Sequence, residues 1–255
     1  MSTPRFYCPP TLFPSTISNA PGQSGDSVEL PATAAHHASR VLRLRLNDDV
    51  HLFDGIGNEL HGRICAITGK SVRLDHLHSH AINRESPLHI VLAQALCSSE
   101  KMDWIVQKAT ELGVSAIQPL QTERSITRLS GERAEKRVEH WRGVTIAACE
   151  QCGRNTLPIV YPPQDFAHWL VTMRQSTATK LTLAPTSRNP LRQQAKLTHP
   201  IVLLVGPEGG LSATEMQMSE QADFTPISLG ARILRTETAA IAGITALQIL
   251  WGDLG

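Results

Sequence analysis

The sequence predicts an α/β protein, in which a small β-rich portion is followed by a longer one built on a largely parallel sheet with helices on both faces. Three observations carry that prediction. The first 80 residues hold short apolar runs divided by turn residues at close spacing, which suits a small barrel. From His89 onward strand-like and helix-like runs alternate, the pattern of parallel strands joined by helical crossovers. Late in the chain two glycine-bearing turns follow apolar runs and lead into helical patterns. They are Val205-Gly206-Pro207-Glu208-Gly209-Gly210 and Leu229-Gly230-Ala231-Arg232-Ile233-Leu234-Arg235-Thr236-Glu237-Thr238-Ala239. Ligands of open α/β sheets collect beyond the carboxyl ends of the strands, so the two turns imply one shared pocket.

In chain order, Val41 to Leu46 alternates, with Leu42, Leu44 and Leu46 on one face and Arg43 and Arg45 on the other, and predicts a strand. Asn47-Asp48-Asp49 supplies a turn, and Val50 to Phe53 resumes as a strand. Gly55 and Gly57 precede a strand over Leu60 to Ile67, and Gly69-Lys70 precedes Val72 to Leu74. His76, His78 and His80 share strand parity and read as a wet strand face, not as metal ligands. Ala81 to Pro87 is polar, ends in proline and reads as a linker, which places domains at residues 1–80 and 87–255. Beyond it, strands are expected at His89 to Leu96, Ala116 to Leu120, Leu181 to Ala184, Ile201 to Val205 and Thr225 to Leu229. Helices are expected at Met102 to Leu112 with Gly113 as the stop, Glu132 to Cys152, Ala213 to Ala222 with Ser212 as N-cap, and Thr236 to Trp251. Thr236 is suited to cap the last helix, and Glu237 in its first turn complements the helix dipole.

Composition narrows the function. With 255 residues, 41% of them apolar, the chain has material for a real core. No apolar run approaches membrane-spanning length and the N-terminus lacks a signal core, so a cytoplasmic protein without membrane contact is expected. Five scattered cysteines do not make a disulfide framework, and Cys149-x-x-Cys152 has no second ligand pair, so no metal is expected. The net charge of +1 does not advertise a polyanion partner. Its distribution does: seven Lys or Arg stand against four Glu between Arg124 and Arg154, and His36, His37, Arg40, Arg43 and Arg45 form a patch without an acid. Gly55-Ile56-Gly57-Asn58-Glu59-Leu60 lacks the third glycine of a dinucleotide fingerprint, and no phosphate-binding loop of the NTPase type is present. Arg232 and Arg235 beside Ile233-Leu234 describe a site for an adenine-like ring and an anion, although both arginines also suit a plain surface.

These turns resemble those of the SPOUT class of S-adenosylmethionine-dependent RNA methyltransferases, and more closely the bacterial RsmE family, which methylates N3 of a uridine in 16S ribosomal RNA. The resemblance extends along nearly the whole chain. It includes Arg40-Val41-Leu42-Arg43, Phe53-Asp54-Gly55-x-Gly57, Gln107-Lys108-x-x-Glu111-Leu112-Gly113-Val114, Glu123-Arg124-Ser125 and Glu150-Gln151-x-Gly153-Arg154. The chain departs at Asn47, where the family commonly has Gly, and at Cys152, which fills a small-residue position. The resemblance implies a PUA-like N-terminal β-barrel that binds RNA, a C-terminal parallel sheet tied in a trefoil knot, and a homodimer acting on the small ribosomal subunit.

It also implies roles for residues. Ala184, Leu204, Gly206, Pro207, Glu208, Gly209, Leu229, Gly230, Ile233 and Leu234 are expected to hold S-adenosylmethionine. Arg232, Arg235 and Glu237 are the catalytic candidates, with Arg235 on the developing uracil oxyanion and Glu237 a candidate proton acceptor that helix capping explains equally well. Arg40, Arg43, Arg45, Arg124 and Arg154 are expected to meet RNA. A different SPOUT enzyme, acting on a ribose hydroxyl or on tRNA, and a ribosome-assembly factor without activity remain as alternatives.

Overall fold

Side-chain alternation along the strands accounts for most of what the computed structural model shows. It describes residues 3–14, 27–195 and 200–255. The chain divides into two units, one of residues 1–85 with 149–157 and the other of residues 86–148 with 158–255.

In the first unit five strands form a curled sheet: β1 (Arg5–Tyr7), β2 (Val28–Glu29), β3 (Asp49–Phe53), β4 (Glu59–Thr68) and β5 (Ser71–Ser79), in the order β1-β3-β4-β5-β2. β1 runs parallel to β3, and the remaining pairs are antiparallel. Phe6, Val50, Leu52, Leu60, Ile64, Val72 and Leu74 point inward and pack on Ala34, Ala35 and Ala38. Those alanines belong to α1 (Ala32–His36) and the wider helical turn His37–Val41 that continues it.

That helical segment corrects the strand expected at Val41 to Leu46. Leu42 and Leu44 return their N–H groups to the carbonyls of His37 and Ala38, and Arg43 adopts a left-handed conformation with φ 54° that ends the helix. The three-leucine alternation is too short to outweigh this helix end. Leu44 packs partly on the core, while Leu42 and Leu46 are exposed. The turn at 47–48 forms as expected, with Asn47 at φ 71° and the Asp48 carboxylate accepting from the Arg45 N–H.

The second unit holds seven strands: β6 (Ile90–Ala95), β7 (Ala116–Gln121), β8 (Ile159–Val160), β9 (Gln164–Asp165), β10 (Thr179–Leu183), β11 (Ile201–Val205) and β12 (Thr225–Ile227). Every pairing is parallel, in the order β12-β10-β11-β6-β7-β8, with β9 also beside β7. Five helices cover it: α2 (Ser99–Glu111), α3 (Gly131–Cys152, its last turn grouped with the first unit), α4 (Phe166–Met173), α5 (Ala213–Glu220) and α6 (Thr236–Trp251). Because side chains alternate along a strand, Ile201, Leu203 and Val205 face Met102, Ile105, Trp141, Ile244 and Leu247. Val202 and Leu204 face Phe166, Trp169, Leu170 and Phe224 on the other side. Burial on both faces explains why these strands read as unbroken apolar runs.

Helix ends follow local chemistry. Ser212 caps α5 in a full capping box with Glu215, as expected. The structure corrects the cap of α6, because Arg235 occupies the N-cap position without a side-chain cap bond and Thr236 lies inside the helix. The helix α4, opened by Asp165 accepting from the His168 N–H, had no counterpart in the sequence reading.

Charged residues of the first unit are paired inward. The fully buried Glu59 meets Arg5 and Arg84 through Oε2, and His80 through Oε1 at 2.7 Å. Burial alone would raise its pKa, but the bonds from Arg5 and His80 and the charge of Arg5 outweigh it and hold the carboxyl at about 2. A carboxylate with a depressed folded pKa stabilises the fold above its unfolded pKa, and that stability is lost as pH falls through the folded one. Unfolding free energy is therefore expected to drop by about 3 kcal/mol in all, progressively from roughly pH 5 down to roughly pH 1, on this account. Glu59→Gln should flatten that part of the pH–stability curve in denaturant titrations. An unchanged acid limb in the variant would show that Glu59 does not set it.

Candidate functional site

Three neighbouring parallel strands, β10, β11 and β12, end at the same edge of the sheet, and their departing loops enclose a cavity of about 340 Å³. Its wall takes Ala184 after β10, the turn Gly206–Leu211 after β11, and Ser228–Gly230 with Arg232, Ile233 and Leu234 after β12. The size falls within the range of small-molecule sites, and most of the lining is backbone and apolar side chain.

Two glycines are needed for this shape. A Cβ on Gly206 would stand 3.0 Å from the Leu211 nitrogen, so a side chain there would press the turn apart by a few tenths of an ångström. Gly230 takes φ +124°, a conformation that side chains rarely adopt. The Gly210 N–H closes the turn onto the Pro207 carbonyl at 2.9 Å.

A buried polar pin holds the two loops together. The Thr236 hydroxyl donates to the Gly206 carbonyl at 2.6 Å, joining the start of α6 to the turn after β11. Gln94 on β6 donates to Thr236 Oγ1 at 3.0 Å and to the Ala95 carbonyl at 2.9 Å. Sequence reasoning passed over Gln94, although a glutamine inside the apolar run Ile90-Val91-Leu92-Ala93 is a signal in itself, since a buried amide needs partners.

A second missed residue is Lys101 on α2. Its ammonium lies 3.5 Å from Glu208 and 3.4 Å from Glu237. Desolvation pulls the pKa of Lys101 down, but the two carboxylates outweigh it and keep the lysine charged. Desolvation likewise pushes the Glu208 carboxyl up, and the Ser98 and Glu208 backbone N–H groups together with Lys101 bring it below the ordinary range.

The structure brings most of the expected ligand residues to one cavity: Ala184, Gly206, Pro207, Glu208, Gly209, Leu229, Gly230, Arg232, Ile233 and Leu234 all line it. Leu204 is a correction, because strand alternation turns its side chain into the core against α4 and gives the cavity Val205 instead. Arg235 and Glu237 stand outside the lining, Arg235 exposed at the N-cap of α6 and Glu237 beside Lys101. Neither Arg232 nor Arg235 has an ion-pair partner among the described residues. Ile233 is 84% exposed, an apolar side chain left uncovered at the rim.

Of the expected RNA contacts, Arg40, Arg43 and Arg45 are exposed around the helix end of the first unit. Arg124 is exposed but also donates to the Gly209 carbonyl at 2.9 Å, buttressing the turn. Arg154 is a correction. It is 5% exposed, and its guanidinium is spent on Glu85 at 2.6 and 2.9 Å within the first unit, which removes it from the surface. Cys149 and Cys152 form no disulfide, and contact with Cys152 together with burial pushes the Cys149 thiol up, so it stays protonated.

Known proteins share both units. A family described as an RNA methyltransferase domain matches residues 84–248, and one described as an RNA methyltransferase PUA domain matches residues 30–75. The ribosomal RNA small subunit methyltransferase E of Buchnera aphidicola subsp. Schizaphis graminum is 35% identical over 91% of this chain and 94% of its own. That of Bacillus subtilis is 29% identical over 86% and 90%. The crystal structure of a ribosomal RNA small subunit methyltransferase E from Neisseria gonorrhoeae, bound to S-adenosyl methionine, is 40% identical, covers 100% of both chains and matches with a TM-score of 0.89. A Legionella pneumophila structure in complex with the same cofactor matches with a TM-score of 0.89 at 36% identity over 100% of both chains. With similarity of this extent across both units, the chain belongs to the ribosomal RNA small subunit methyltransferase E family of RNA methyltransferases.

Proposed function

We propose that this protein transfers a methyl group from S-adenosylmethionine to N3 of a uridine in 16S ribosomal RNA within the small subunit. The observation that carries the reading is the cavity after β10, β11 and β12, with its glycine turn and two unpaired arginines. The cavity fits the cofactor: an apolar wall of Leu229, Ile233 and Leu234 suits a ring, and the open space beside the Gly230 backbone permits close approach. Ala184, Pro207, Glu208 and Gly209 complete the same wall. When bound, S-adenosylmethionine supplies an electrophilic methyl carried on a sulfonium.

The chain's own residues must make N3 a nucleophile. At neutral pH that nitrogen holds a proton, and its loss leaves negative charge on the uracil ring. Arg235, without a carboxylate partner, is assigned to that charge from outside the lining, and Arg232 stands on the cavity wall itself. Glu237, which lies 3.4 Å from Lys101, is assigned the proton. A positioned acid–base group contributes roughly 10²–10⁴-fold. A uridine inside structured RNA must be unstacked to reach the cavity.

In this reading residues 1–80 form the RNA-recognising barrel and residues 87–255 the knotted methyltransferase domain. Arg40, Arg43 and Arg45 meet phosphate, and Arg124 holds the cofactor turn at the RNA-facing edge. The protein acts as a cytoplasmic homodimer, for which the uncovered Ile233 and the exposed Ile249 and Leu250 at the end of α6 provide apolar contact. Among the described residues no helix is long and apolar enough to cross a membrane.

Incubation with labelled S-adenosylmethionine and unmodified small subunits is expected to label one uridine at N3. Label on a ribose hydroxyl, on tRNA alone, or none at all overturns the reading. Arg235→Ala should lower kcat by roughly 10²–10³, the usual cost of one oxyanion donor, with cofactor affinity unchanged because Arg235 stands off the cavity wall. Intact turnover in that variant would remove Arg235 from the chemistry. With three arginines on phosphate, RNA affinity should fall roughly 20- to 40-fold from ~50 to ~200 mM salt. Replacing Arg40, Arg43 and Arg45 together by Ala should flatten that dependence in filter-binding assays, and an unaltered slope would place the phosphate contacts elsewhere.

A further inference from the structure

The sheet of the first unit gathers four histidines that the proposed reaction does not use. His51 on β3, His61 on β4, and His78 with His80 at the end of β5 are drawn together by the antiparallel pairing of these strands. His51 stacks on His80 and His61 on His78, each pair with ring centroids 5.3 Å apart. His51 also meets His61 edge-on at 5.3 Å.

One carboxylate faces this group. Glu59 Oε1 lies 2.7 Å from His80 Nδ1 and 3.2 Å from His51 Nδ1. Its other oxygen is taken by Arg5 and Arg84, which turn Oε1 toward the imidazoles and keep it there. His51 Nδ1 is buried and, although Glu59 Oε1 is 3.2 Å away, the angle between them makes no hydrogen bond, and no other partner stands among the described residues. An orphaned buried nitrogen is costly in a folded protein and calls for a partner.

We propose that His51 Nδ1, His80 Nδ1 and Glu59 Oε1 form a binding site for one divalent transition cation of the zinc class. The three atoms lie within 4.8 Å of one another. Bonds of about 2.0–2.2 Å to a common tetrahedral ion hold the ligand atoms roughly 3.4 Å apart, so the ion would widen the 2.7 Å contact of His80 with Glu59 and draw the wider separations in. Two imidazoles and one carboxylate are a donor set that zinc accepts, with a coordination position left for water. Zinc suits the site better than calcium or magnesium, which need a shell of oxygens and would gain little from two nitrogens beside two guanidiniums. The ligands come from two strands and the end of a third, so the ion clips the sheet. His61, against the His51 ring and 3.6 Å from Asp49, limits how that ring can turn.

The positions 51, 59 and 80 follow no metal-binding spacing, which is why the absence of a metal was the natural expectation from sequence. His76 and His78, which share strand parity with His80, are exposed and are not ligands here. Only the fold selects His80 among the three.

The test is titration of the full-length, metal-stripped protein with Zn²⁺ by calorimetry and with Co²⁺ by visible spectroscopy. One Zn²⁺ per chain is expected, and Co²⁺ should give ligand-field bands without a thiolate charge-transfer band, which separates this site from Cys65 and Cys152. His80→Ala, at a half-exposed position, and His51→Ala should each weaken Zn²⁺ binding by ~10-fold or more, while His78→Ala should retain it. Circular dichroism of each variant separates lost ligation from lost folding, and His80→Ala carries the test if His51→Ala does not fold. No saturable uptake, a thiolate band, or binding indifferent to His80→Ala overturns the proposal.

Discussion

The carbonyl of Gly206 has to be satisfied inside the protein. It follows directly on a strand that is buried on both faces, at a position that is itself partly buried. Thr236 provides the donor, and Gln94 on the adjacent strand holds Thr236. Such a bond is worth about 1 kcal/mol net, but leaving the carbonyl unpaired would cost about 1–3 kcal/mol. This asymmetry obliges the start of α6 to stay against the turn after β11, and the spacing of those two loops is the cavity. The pocket is therefore a consequence of hydrogen-bond satisfaction as much as of loop sequence.

Charge around the cavity is sorted by the same kind of constraint. Glu208 and Glu237 both lie near Lys101, so the acids in this region are answered by a lysine on α2, which sequence separation conceals. Arg232 and Arg235, only a few residues from Glu237, are left without carboxylates among the described residues. An apolar residue as exposed as Ile233 next to them is consistent with a surface covered in the working state.

Much of this architecture was legible from residue order because both faces of the second sheet are buried. Ile201 to Val205 can only be an inner strand when each parity finds its own layer of helices, and the Ser212–Glu215 box starts α5 by local chemistry alone. The same rule explains an error, since alternation must send Leu204 away from the cavity if Val205 lines it. The short alternation at Val41 to Leu46 misled because a helix end with Arg43 at positive φ produces the same leucine spacing. Gln94 and Lys101 were overlooked because their partners lie 142 and 136 residues away in the most distant case, a reach that no local pattern encodes.

Long-range pairing also limits what a motif can mean. Glu150-Gln151-x-Gly153-Arg154 is one of the motifs through which the sequence resembles the family, and its arginine was expected to meet RNA. In the fold, Glu150 accepts from the Tyr7 N–H, the Gly153 carbonyl accepts from Arg84, and Arg154 is bonded to Glu85. All three serve the interior of the first unit, where Arg5 also reaches the Arg154 carbonyl and Asn155. A buried guanidinium without its carboxylate would be strongly destabilising, so Glu85 and Arg154 constrain each other. Residues that mark a family thus divide into those that touch its ligands and those that hold the surfaces doing so. Burial and pairing, more than residue type, decide to which group an arginine belongs.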